Sequence, residues 1–372
     1  MTDRSICILT TVHSALDTRI FHKQAKTLSC AGYDVTVIAR HTCDETIDGI
    51  RIIDLPVPRN RLARMFGLTW RAFRVALRQR ADVYHIHDPE LLLVGVLLKR
   101  LTGAKIIYDV HEDVPQQILG KHWIPRILRR SVSGGFSVIE KMCAQRFHAI
   151  IPATEGIARH FEVHRNLVVI HNYPDLRMLP EANQCARRRG ESLLYIGGIS
   201  LARGGIEMVS ALDNVPESMG VRLTLIGRFV PAEFERQVRG LSAFRCVDYL
   251  GTLPWETAWG SASGAAAGLV LFHPGPNHTE ALPNKLFEYM AAGIPVIASN
   301  FPLWREIVEG NECGLTVDPL DLQAIADAIS YLIEHPDEAH EMGRNGRCAV
   351  ERMYNWESEA ENLLAVYERI LS

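Results

Sequence analysis

Short runs that are apolar on both faces alternate with helical patterns from one end of the chain to the other. In the first half they are Ile6–Thr10, Val35–Ala39, Val83–His87, Lys105–Tyr108, Ala149–Pro152 and Val168–His171. In the second half they are Leu193–Ile196, Leu223–Ile226, Val247–Leu250, Gly268–Phe272, Val296–Ala298 and Leu315–Val317. Strands this rich in Val, Ile and Leu need cover above and below, which helices between parallel strands supply. The alternation therefore predicts doubly wound α/β domains. At 372 residues the chain exceeds what one core holds, so two such domains are expected. Asn172–Glu191, with Pro174, Pro180 and Arg187–Arg189, has little periodicity and reads as a break. The expected layout is a first domain over 1–172, a linker over 173–190 and a second domain over 191–355. A last helix over 356–372 can pack on either one.

Composition closes off several classes. Apolar residues make up 47% and charged residues 22%, the balance of a folded globular chain. A net charge of -3 gives no bulk attraction for nucleic acid. The eight cysteines are scattered without a Cys-x-x-Cys pair, so buried free thiols in a reducing compartment are expected. The apolar stretches Leu91–Leu98 and Gly264–Phe272 are far shorter than the roughly 20 residues a spanning helix needs. Ile6–Val12 follows Asp3 and Arg4 and runs into His13 and Asp17, so it reads as a buried strand and not a signal peptide. The expected location is cytoplasmic.

Polar residues gather where the strands end. His87-Asp88 and Asp109-Val110-His111-Glu112 do so in the first half; Gly197-Gly198, Gly227-Arg228 and His273-Pro274-Gly275 do so in the second. Open α/β sheets bind ligands beyond the carboxyl ends of their strands. Two such rims imply a cleft with a ligand on each side, and so a two-substrate enzyme. No Gly-x-Gly-x-x-Gly follows the first strand, which speaks against a dinucleotide.

The segment from Asn277 to Met290 is the densest in chemistry. A helix start is expected at Pro283 or Asn284, since Asn caps and Pro suits the first turn. Lys285 then falls in the first turn, with Glu288 three residues on along the same face. A helix start attracts phosphate through free amides and its dipole. With Lys285 added it would suit a diphosphate, while Glu288 could accept hydrogen bonds from the two hydroxyls of a ribose. Glu280 could reach a further hydroxyl. The plainer alternative is a surface Lys285–Glu288 ion pair, which contributes only roughly 0.3–0.5 kcal/mol.

Glu280 and Glu288 are separated by seven residues and followed by Ala291-Ala292-Gly293-Ile294-Pro295. This resembles the Glu-x7-Glu element of the retaining GT-B glycosyltransferases of family four, and within them the branch written Pro-x-Lys-x-x-Glu (Pro283, Lys285, Glu288). Asp17-Thr18-Arg19-Ile20, His87-Asp88-Pro89, Tyr108-Asp109-Val110-His111-Glu112 and Tyr195-Ile196-Gly197-Gly198 fit the family's patterns in order, so the resemblance spans the whole chain. It implies a GT-B fold, two Rossmann-like domains facing a central cleft, with the last helix crossing back to the first domain. It implies a nucleotide-diphosphate sugar as donor, retention at the anomeric carbon, and no metal or other cofactor. It places Gly197, Gly198, Arg203, Lys285, Leu286 and Glu288 on the donor, with His111 and Glu280 beside the transferred sugar. Many relatives build surface polysaccharides, which implies a glycan or polyprenyl-linked acceptor. One departure stands out. The family commonly carries Gly-Arg and then Lys-Gly in the first loop of the second domain; here the arginine position is Gly198 and the lysine position is Arg203. Lys285 is expected to restore the missing positive charge. Arg203 can also be read as a surface residue after a glycine turn.

Other residues carry two readings. His111 can be satisfied within its own turn by Asp109 or Glu112; those two can touch the acceptor or hold the loop. Asp17 is mainly a helix N-cap, with Arg19 on the acceptor side. His85 and His87 alternate on one strand face, but further metal ligands are not evident in the sequence. The nucleobase is expected near Gly227-Arg228 or Tyr249-Leu250-Gly251. From Arg59 to Arg80 there are seven arginines and no acid, with Leu62, Phe66, Trp70, Phe73 and Leu77 at helical spacing. Lys121–Arg130 is similarly basic. Such helices bind anionic membrane surfaces or pack their apolar side on the sheet. Two rival functions fit the same motifs: a sugar-nucleotide epimerase, and a nucleotide-binding subunit without catalysis.

Overall fold

The computed structural model describes residues 4–121, 124–178, 192–260, 264–275 and 278–372. Asn277, His122, Trp123 and the expected linker from 179 onward lie outside them. The chain forms two compact units. One comprises Met1–Asn172 with Trp356–Ser372, the other Tyr173–Asn355.

The first unit is built on β1 (Ser5–Ser14), β2 (Asp34–Arg40), β3 (Glu45–Ile47), β4 (Ile50–Leu55), β5 (Val83–Ile86), β6 (Lys105–Val110) and β7 (Ala149–Pro152). Their order in the sheet is β3-β4-β2-β1-β5-β6-β7. All pairs are parallel except β3–β4. Alternation along β1 shows why both faces are apolar: Cys7 and Leu9 enter one core, Ile6 and Ile8 the other. The second core is closed by the terminal helix Trp356–Leu371, whose Trp356, Leu363 and Tyr367 are fully buried. Trp356 Nε1 donates to Thr27 Oγ1 at 3.0 Å.

The second unit carries β8 (Ser192–Ile196), β9 (Arg222–Ile226), β10 (Val247–Gly251), β11 (Ala267–Val270), β12 (Val296–Ser299) and β13 (Gly314–Val317). Their order is β10-β9-β8-β11-β12-β13, parallel throughout. In each sheet the strand order reverses beside the first strand of the unit, so the loops after β1 and β8 open where ligands gather in such folds.

Three expectations change. Val168–His171 is not a strand: Val168 and Ile170 donate to Ile150 and Pro152, but only Leu167 pairs as an isolated bridge. The hairpin β3–β4 was not expected. It turns at Asp48 and Gly49, both at positive φ (51° and 79°), the backbone that a two-residue hairpin turn demands. The basic segment from Arg59 begins as a π-helix, Ala63–Leu68, and continues as the α-helix Thr69–Gln79.

Candidate active site

The residues singled out in sequence form one group on each unit. In the second unit, β8 ends at Gly197, whose φ of 130° suits glycine alone. Its amide donates to Ile226 O at 2.8 Å, fixing the turn. The helix Asn284–Ala291 is anchored beside this turn by Tyr289, whose hydroxyl accepts the Ile196 amide at 2.9 Å. Gly268 leaves room for that ring: a Cβ there would lie 2.4 Å from it. The approach to the helix is held by Trp304, whose Nε1 donates to Ala281 O at 2.7 Å.

These constraints put Lys285 beneath the turn. Its residue is 8% exposed, and its ammonium has no hydrogen-bond partner among the described residues. The Nζ atom stands 3.5 Å from the centroid of the Tyr195 ring and 5.6 Å from that of Phe272. A Cβ on Gly197 would come within 3.2 Å of it, so the absent side chain leaves the ammonium open toward the turn. Arg203 reaches the same place from the other side: its guanidinium lies 5.6 Å from the Phe272 centroid and donates to Gly198 O at 3.4 Å. Burial drives the Lys285 pKa well below that of a free lysine; Arg203 pushes further, against a weaker pull from Glu288. Two cations around one ring, one buried with no counter-ion bonded to it among the described residues, form a place made for an anion.

Several assignments need correction here. Lys285 makes no bonded intrahelical pair with Glu288, so the plain surface reading fails. Asn284 is not the cap; Pro283 is, with no side-chain bond to the helix. Leu286 is fully buried and its amide donates to Pro283 O at 3.0 Å, so neither side chain nor amide is available to a donor. Glu288 is half-buried and Glu280 exposed. Tyr195, Phe272 and Tyr289 were missed as site residues. Tyr195 stood inside a quoted motif, but nothing in the sequence says that its ring carries a lysine.

The group on the first unit surrounds Asp109 at the end of β6. The carboxylate is fully buried and accepts from Arg19 Nη2 at 3.1 and 3.2 Å and from Gln24 Nε2 at 2.6 Å. His111 Nδ1 lies 3.3 Å from it and His85 Nε2 3.6 Å. Burial alone would raise the Asp109 carboxyl; Arg19 and then His111 hold it well below the usual range. Asp109 is thus a buried positioning residue, the loop-holding reading of the two, and Arg19 is its buried partner and not a residue of the acceptor side. His111 is partly open, and its Nε2 is 2.9 Å from His87 Nδ1. One of these two rings donates to the other, according to their tautomers. Burial lowers the His111 pKa to about 4, against the pull of Asp109. Asp17 caps the helix Thr18–Ala25 by accepting from the Arg19 and Ile20 amides, and lies 3.3 Å from His13. Glu112 is exposed and bonds Gln117.

His85, His87 and Asp109 together do offer three metal-ligand atoms within 4.8 Å of one another, a third ligand not evident in the sequence. The donor set fits a cation poorly. Both Asp109 oxygens already serve Arg19, whose positive charge would oppose a metal, and His87 Nδ1 serves His111.

Comparison with known proteins follows the same division. Residues 18–172 match the glycosyl transferase 4-like domain, and residues 190–335 match the glycosyl transferases group 1. The chain belongs to the GT-B glycosyltransferase family. This glycosyltransferase is 25% identical over 362 residues to the phosphatidyl-myo-inositol mannosyltransferase of Mycobacterium leprae, covering 93% of this chain and 91% of the relative. Its fold is similar to that of sucrose-phosphate synthase from Thermosynechococcus elongatus, at a TM-score of 0.78, 21% identity and 99% coverage of both chains. It is also similar to HepE from Anabaena in complex with UDP-glucose, at a TM-score of 0.72 and 15% identity, covering 98% of this chain and 99% of that one. Among the described residues, the glycosyltransferase has no helix long and apolar enough to cross a membrane.

Proposed function

We propose that the protein transfers a sugar from a nucleoside-diphosphate donor to a glycan or lipid-carried acceptor, with retention, in the synthesis of a surface polysaccharide. The observation that carries the donor assignment is the buried Lys285 ammonium, without a hydrogen-bond partner among the described residues and facing the Gly197 turn with Arg203 alongside. Keeping such a cation dry is costly unless an anion arrives to meet it. A diphosphate beyond Gly197 would accept from Lys285, from Arg203 and from backbone amides of the loop. As the glycosidic bond breaks, charge grows on that diphosphate, and both cations stabilise it. Glu288, one turn into the helix, orients the ribose, and Glu280 faces the sugar.

His111 is neutral at ordinary pH, so it does not protonate the leaving group; it acts as a positioning residue beside His87 and Asp109. The leaving phosphate takes the acceptor proton on the same face, consistent with retention; no protein nucleophile is assigned. A relative named for phosphatidyl-myo-inositol and a fold neighbour holding UDP-glucose support the choice of acceptor and donor classes. The deciding experiment screens UDP, GDP and ADP sugars for binding and for transfer in the intact chain. Lys285→Ala and Glu288→Ala should each lower turnover by roughly 10²-fold or more. Near-wild-type rates in both variants would remove the assignment.

A further inference from the structure

Three helices lie side by side over one face of the first sheet: Thr69–Gln79, Leu92–Thr102 and Arg126–Ala144. Their inward residues share one core, through Phe73, Leu98 and Cys143 among others. Their outward residues therefore face the same way, and many are apolar. On the long helix Leu128, Val132, Gly135, Ile139 and Met142 recur at alternating spacings of four and three, all exposed. That is the stripe a helix normally hides. Beside it Ile127 is 91% exposed. The middle helix presents Leu93, Leu97 and Leu101, one turn apart and all exposed, and the first adds Trp70, with Phe66 one turn before it at 70% exposure. A layer with this many exposed large apolar side chains marks an interaction surface.

Charge identifies the occupant. The three helices carry arginine and lysine along their length but only one acid, Glu140, which is buried and accepts from Tyr108 Oη at 2.9 Å. In a two-fold dimer the same face meets itself, so these cations would confront one another with no exposed acid to answer them. An anionic bilayer meets both needs: acyl chains take the apolar stripe, and headgroups take the basic fringe, reached by long side chains that keep their charge in water. We infer that this three-helix face is a bilayer-docking surface for anionic phospholipid, seated on the first unit through the outward side of helices 92–102 and 126–144 as well as the basic 63–79 segment. The reach of the surface beyond the basic segments comes from side chains whose outward direction no sequence pattern disclosed.

The test is sedimentation of the full chain with vesicles. Vesicles containing phosphatidylglycerol should bind at least about tenfold tighter than pure phosphatidylcholine, because each basic residue near an anionic surface contributes about 1 kcal/mol. Some binding should survive about 0.5 M salt, where charge is screened and apolar insertion is not. The double variant Ile127→Glu with Ile139→Glu should bind at least about tenfold more weakly at an unchanged melting temperature, because its positions are solvent-facing. Equal capture by both vesicle types, no capture at all, or wild-type binding by the double variant would overturn the proposal. So would a concentration-dependent dimer that the double variant splits, which would hand the face to a second copy. The assay contains no nucleotide sugar, so its outcome is independent of the donor-site assignment.

Discussion

The ammonium of Lys285 sits 3.5 Å from the centre of the Tyr195 ring with no hydrogen-bond partner among the described residues. The ring's electron-rich face returns only part of what the ammonium lost on leaving water. Lys285→Met keeps the length and removes the charge. In thermal unfolding without ligand, this variant should be more stable than the parent by about 1–3 kcal/mol, while binding of nucleoside diphosphate is lost. A variant that is both less stable and still binding would show that the lysine is structural.

The same lysine links binding to protons. Its folded pKa lies well below that of the unfolded chain, so above the folded value the free protein holds it largely neutral. A diphosphate favours the charged form, so binding should take up a proton there and weaken as pH rises. Titration calorimetry in two buffers of different ionisation heat reads the proton directly. In the absence of ligand the unfolded chain binds the extra proton, so stability should rise with pH between the folded value and the usual lysine range.

His87 and His111 form a second pair. With burial holding His111 at about 4, activity should not follow its titration between pH 5.5 and 8. His111→Ala should cost turnover by roughly 10²-fold. His87→Ala leaves His111 Nε2 without its partner; the imidazole nitrogen shifts of His111, read by NMR, should then change along with turnover. The stability this histidine provides is complete above pH 6.5, its unfolded range, and is lost as pH falls from there toward 4. Melting temperature against pH for the parent and His111→Asn would display that window.

Glu140 points the other way. Burial raises its pKa to about 7, against the pull of Tyr108. The folded state therefore holds a proton that the unfolded state releases above about 4.5, and stability falls as pH climbs from there through 7. Glu140→Gln should stabilise the chain at pH 8 by about 1–3 kcal/mol and change little at pH 5. Equal effects at the two pH values would refute it.

The fold was legible because parallel strands buried on both faces write nearly continuous apolar runs. Ala149–Pro152 is strand β7 to the residue, and the other buried runs differ only at their ends. What escaped were elements with a weaker signature. Glu45–Ile47 is a mostly exposed edge strand of three residues, and its Asp48-Gly49 turn is the one available sign. Val168–His171 is as apolar as a strand but pairs at a single bridge. At the site, the helix start and Lys285 could be located from spacing. The burial of Leu286 and of Asp109 with Arg19 could not, because each depends on neighbours distant in the chain, such as Gln24 beside Asp109.

The terminal helix follows the second unit but completes the first, with Trp356 bonded to Thr27 across 329 positions of sequence. The second unit is therefore an insertion within the first, and the chain must pass from one to the other twice. During synthesis the opening 172 residues emerge with one wall of their core still unmade. They can reach their final packing only after Trp356–Ser372 has left the ribosome, so a stop codon shortly before Trp356 would damage a unit whose sheet is already made.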